Sequence, residues 1–82
     1  MMSQDEARET LLQILREMDK ECEYKPGADI FEDFGLDSLD QLEFLFNIEQ
    51  RFGTKIDDET FEDAELRQFD KLVDYLLAAR SA

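Results

Sequence analysis

Apolar residues along the chain recur mostly at helical spacing. Ala7, Leu11, Ile14, Leu15 and Met18 fall at i, i+4, i+7, i+8 and i+11, the spacing of one helix face. Ser3 or Asp5 stands where a cap is needed. Cys22 extends the stripe and reads as a small buried hydrophobe, since its neighbours Glu21 and Glu23 disfavour a thiolate. A second helix is predicted from Ser38 to Phe52. Asp37 supplies its N-cap, Asp40 completes a capping-box pattern, and Gly53 suits the left-handed position after the last turn. Leu42, Phe44, Leu45, Ile48 and Phe52 are expected to form a broad inward face, opposite Asp40, Glu43, Asn47, Gln50 and Arg51. Leu39 and Phe46 lie at the border.

Between these helices the period is lost. Lys25-Pro26-Gly27 punctuates the chain, and Ile30, Phe31, Phe34 and Leu36 follow without a clean repeat. The segment 23–37 is therefore expected to be a long loop held down by its own aromatic side chains. Phe61 and Leu66 mark one short helix in an acidic stretch. Phe69, Leu72, Val73, Leu76 and Leu77 mark the last helix, at i, i+3, i+4, i+7 and i+8. Strand-like alternation and internal repeats are absent. The expected fold is all-α: a small four-helix bundle, three helices longer and one short, forming a single domain over residues 1–82.

Length and charge narrow the function. Eighty-two residues build a thin core with little room for a deep catalytic pocket, which favours a binding or carrier module over an enzyme. Twenty-two acidic residues against nine basic ones give a net charge of −13. Such a chain repels nucleic acid and anionic membranes and attracts basic patches on other proteins. With one cysteine and no histidine, an internal disulfide, a Cys/His zinc site and a Ser-His-Asp triad are all excluded. Asp29, Asp33, Asp37 and Asp40 cluster, but a calcium loop starting at Asp29 would need an oxygen ligand where Phe31 stands and a glycine where Phe34 stands. No metal site is expected. No apolar run reaches the length of a membrane span, and the N-terminus lacks the basic and apolar regions of a signal peptide. A cytoplasmic monomer is the expectation.

One segment carries chemistry: Phe34-Gly35-Leu36-Asp37-Ser38-Leu39-Asp40. A serine at the first turn of a helix is reachable by another protein, and free N–H groups at that helix end favour a phosphate on its oxygen. On spacing alone, Ser38 is equally a capping hydroxyl and an attachment site. The segment resembles the acyl carrier protein family, whose members share Gly-x-Asp-Ser-Leu with the serine opening the second helix. Gly35, Asp37, Ser38 and Leu39 fill those positions. The following Asp40-Gln41-Leu42-Glu43-Phe44, the run Glu49-Gln50-Arg51-Phe52-Gly53-Thr54-Lys55-Ile56 and the final Val73-Asp74-Tyr75-Leu76 are similar too, so the resemblance covers nearly the whole chain.

That resemblance implies a carrier with no catalytic residues. Ser38 would bear 4′-phosphopantetheine, transferred from coenzyme A by a phosphopantetheinyl transferase that also recognises Asp37. The arm's thiol would hold the cargo as a thioester. Asp40 and Glu43 would dock basic patches on acyl-loading and acyl-processing enzymes, with Leu39 and Phe46 giving apolar contact. Leu42, Leu45, Ile56 and Leu72 would line the path of a sequestered acyl chain, although for each of them taken alone ordinary core packing is the stronger reading. Seven phenylalanines leave less room for a long chain. Relative to members serving fatty-acid synthesis, the stretch from Ile56 to Leu66 is about two residues longer, and Gln68 replaces the usual threonine. Phe61-Glu62-Asp63-Ala64-Glu65-Leu66 is closer to specialised stand-alone carriers, among them D-alanyl carriers and those of polyketide and other secondary metabolism. An acidic helical adaptor without a prosthetic group is the rival; it accounts for the charge but not for the motif.

Overall fold

Ser3 opens the first helix in the computed structural model, which describes residues 2–20 and 23–81, and side chains as far as residue 79. The Ser3 hydroxyl accepts the Glu6 N–H and the Glu6 carboxylate accepts the Ser3 N–H, both at 3.2 Å, which closes a capping box on α1 (Gln4–Glu17). Asp5 instead pairs with Arg8. Of the expected inward stripe, Ala7, Leu11, Ile14 and Leu15 are buried, while Met18 is half-buried just past the helix end. Cys22 lies outside the described residues.

The segment expected as a loop contains a helix of its own, α2 (Ile30–Phe34). Asp29 caps it by accepting the N–H groups of Phe31 and Glu32, and Gly35 ends it at φ 74° in the left-handed region. Ile30 and Phe34, one turn apart, point into the core. Five residues are too few for periodicity to register, and that is why the sequence reads as loop. On its far side this segment is zipped to the start of the last helix. The Ile30 N–H donates to the Arg67 carbonyl at 2.7 Å and the Phe69 N–H to the Ala28 carbonyl at 2.9 Å. The Arg67 guanidinium lies 4.6 Å from the centre of the Phe31 ring. Tyr24 adds a further tie. Its hydroxyl donates to the Asp70 carboxylate at 2.5 Å, a bond that favours the neutral phenol and pushes its pKa up.

Three longer helices carry the bundle: α1, α3 (Ser38–Phe52) and α5 (Phe69–Ser81), with α1 packed against the other two. The short α4 (Asp58–Asp63) is capped by Asp57 and plugs the core with Phe61. Phe44, Ile48, Phe69, Leu72 and Leu76 are wholly buried with the α1 stripe, while Leu77 is half-buried. Ion pairs tie the end of α1 to both ends of α3: Lys20 to Asp40 at 3.1 Å, and Arg51 Nη2 to both Glu17 oxygens at 2.6 and 2.8 Å. Among the described residues no helix is long and apolar enough to cross a membrane.

Candidate functional site

Asp37 determines where α3 begins. Its carboxylate accepts the Asp40 N–H at 2.9 Å, and the Asp40 carboxylate accepts the Asp37 N–H at 3.2 Å. This reciprocal box places Ser38 at the first helical position, exposed to solvent. Among the described residues nothing hydrogen-bonds the Ser38 hydroxyl. The N–H groups of Ser38 and Leu39 have no acceptor within the helix, because the first turn lies before the i→i−4 ladder starts. A phosphate on the serine oxygen therefore meets free donors and the positive end of a fifteen-residue helix. The flanking carboxylates oppose it. Lys20 offsets one of them: the bond from the Asp37 backbone, then the Lys20 ammonium, hold the Asp40 carboxyl below its usual value and keep it ionised. The other carboxylates of the acidic cluster have structural work. Asp29 caps α2, and Asp33 accepts the Asp29 N–H at 2.7 Å.

Downstream of Ser38 the helix shows an unusual face. Among the described residues, the exposed large hydrophobics are Leu39 (79%), Leu42 (59%) and Phe46 (60%), at i, i+3 and i+7 of α3. Leu39 and Phe46 were expected at the border; Leu42 corrects the expected inward face. At 100° per residue it lies roughly 100° from the mean direction of the buried Phe44, Leu45, Ile48 and Phe52, so that face is narrower than the sequence suggests. Glu43 is exposed and Asp40 half-buried beside the same stripe.

A groove of about 380 Å³, open to solvent, runs between α3 and the chain entering α4. Leu42, Leu45, Phe46 and Ile56 supply its apolar surface, and Glu49, Lys55, Asp57 and Asp58 its charged groups. Of the four residues expected to line a cargo path, the structure brings Leu42, Leu45 and Ile56 together here. Leu72 lies apart, wholly buried in the core. Sequence reasoning missed the charged lining. The available signal was Glu49, eleven residues after Ser38 and thus three turns further along one face. A hydrogen bond from Gln41 Nε2 to Asp58 at 3.1 Å joins α3 to α4 nearby.

Known proteins are similar to this chain in sequence. The family model for the phosphopantetheine attachment site matches residues 7–76. An acyl carrier protein of Rubrobacter xylanophilus is 33% identical over an 81-residue alignment that takes in 92% of this chain and 98% of its own. The mitochondrial acyl carrier protein of Saccharomyces cerevisiae is 30% identical over 81 residues, 92% of this chain and 63% of its own length. An acyl carrier protein of Nitratidesulfovibrio vulgaris is 49% identical over 37 residues, 45% of this chain and 49% of its own.

Proposed function

From the premise that the chain belongs to the phosphopantetheine-attachment family and is an acyl carrier with a 4′-phosphopantetheine group, we propose that Ser38 bears that group. The carrying observation is the capped helix start, which leaves the Ser38 hydroxyl exposed, free of protein partners and beside unused N–H donors. When attached, the group supplies a thiol on a long arm, where cargo is held as a thioester.

The chain's own residues bind and orient. Asp37 fixes the serine at the first turn and presents a carboxylate to the transferase. Asp40 and Glu43 draw the basic surfaces of modifying, loading and processing enzymes, and Leu39 and Phe46 provide the apolar contact once these have docked. No residue of the chain acts as a general base on the serine; histidine is absent, and activation falls to the transferase. The chain is thus read as a non-catalytic, monomeric, cytoplasmic single-domain carrier, passing acyl intermediates between enzymes of fatty-acid, polyketide or related biosynthesis. A required prosthetic group sets aside the acidic adaptor.

Loading tests the role. Holo protein incubated with an acyl-adenylating enzyme, ATP and a fatty acid should gain one acyl mass, removable by neutral hydroxylamine. Acylation of protein lacking the arm, or a hydroxylamine-stable adduct, would contradict it.

A further inference from the structure

The groove beside Ser38 carries charge as well as apolar surface, and its balance selects a cargo. Ser38, Leu42, Leu45, Phe46 and Glu49 fall at i, i+4, i+7, i+8 and i+11, a single stripe that leads from the attachment position into the groove. Glu49 lies about 16 Å along the helix axis from Ser38, within reach of cargo on a pantetheine arm. Three carboxylates line the groove against one ammonium. Lys55 lies near Asp57, whose carboxyl is held low first by the hydrogen bonds from Thr60 and is helped by Lys55. That leaves Glu49 and Asp58 in excess. Glu49 is half-buried, and among the described residues its carboxylate takes no hydrogen bond or ion pair. The exposed Phe46 ring, which can receive a cation on its face, stands beside them.

We propose that this groove seats short cargo bearing a protonated amine, an aminoacyl group, with its ammonium between Glu49 and Asp58 and its carbon chain against Leu42, Leu45 and Ile56. The inference rests on Ser38 carrying the arm. A neutral acyl chain gains the apolar contact alone. A carboxylate-bearing chain is repelled, since three carboxylates face the groove against one ammonium. The cavity lies at the small end of the range for ligand pockets, roughly 300–1,000 Å³, which suits a short chain. Leu72, being wholly buried, is not reached.

The test uses two arms of equal size, glycyl and propionyl, joined to pantetheine by an amide in place of the thioester and installed by a transferase. An intact mass first shows whether the arm is attached; its absence would overturn the attachment reading and this proposal together. On loaded protein at low salt, methyl shifts of Leu45 and Ile56 and amide shifts of residues 49 and 55–58 report groove occupancy. The glycyl arm should occupy the groove about two- to fivefold more than the propionyl arm, the range for a solvent-exposed ion pair. Glu49→Gln with Asp58→Asn should bring the two to equality, and Lys55→Gln should widen the gap. Unchanged circular dichroism would show that the variants fold. Equal occupancy in the wild type, a preference that survives both substitutions, or shifts centred on the Leu72 methyls would overturn the proposal while leaving the attachment reading intact.

Discussion

Asp37 caps α3, and its proposed second role, recognition by the transferase, separates from the first by substitution. Replacing it with alanine removes the cap of α3 and should lower stability by about 1 kcal/mol, read from urea denaturation. It should also slow modification of Ser38 by more than that loss of fold explains, whereas Asp37→Asn, which still caps, should recover stability better than modification rate. The apolar stripe behaves in the opposite way. Leu39→Ser and Phe46→Ser remove exposed side chains, so stability should change by no more than about 0.5 kcal/mol, while kcat/KM of a partner enzyme acting on the loaded protein falls several-fold. Leu72→Ala opens a cavity in the core and should cost about 2–5 kcal/mol. The places of Asp37, Ser38, Leu39 and Phe46 at the start and on the outer side of α3 were legible in the sequence because each follows from one motif and one helical period. Leu42 was not. Hydrophobicity assigns a leucine to the core by default, and nothing local states that the neighbouring chain leaves that side of the helix open.

At the scale of the elements, the three longer helices were readable from their stripes and caps, with α3 starting and ending where Asp37 and Gly53 require. The short α2 was not, although Asp29, the Ile30 and Phe34 pair and Gly35 together mark its ends. Its placement depends on backbone bonds to residues 67–69, which are distant in sequence and carry no pattern. The start of α3 also sets a pH dependence. The folded Asp40 carboxyl titrates below its unfolded value, so the stability it contributes is present at neutral pH and is lost as pH falls through the folded value. The stability gap between wild type and Asp40→Asn should therefore be widest near neutrality and close on acidification. Urea midpoints of both proteins across that range check it; a gap that grows in acid would contradict the assignment.

For the whole molecule the dominant quantity is the net charge of −13. The ion pairs described here, including Lys71 with Glu65 and Arg67 with Asp29, engage most of the cations and leave the acidic excess at the surface. Self-repulsion then works against the compact state, and salt screens it over a Debye length of about 10 Å at 0.1 M. The melting temperature should rise with added sodium chloride, while the rate of encounter with a basic partner falls. The charge was readable from composition. How α3 brings it beside an apolar stripe and the exposed Ser38 required the fold.

The central claim is that Ser38 carries the prosthetic group. Its most direct test is the intact mass of folded protein, wild type and Ser38→Ala, after incubation with coenzyme A, magnesium and a broad-specificity phosphopantetheinyl transferase. The account predicts a gain of one phosphopantetheine on the wild type and none on the variant. A gain on both, or no gain on wild type that was not already modified, would contradict it.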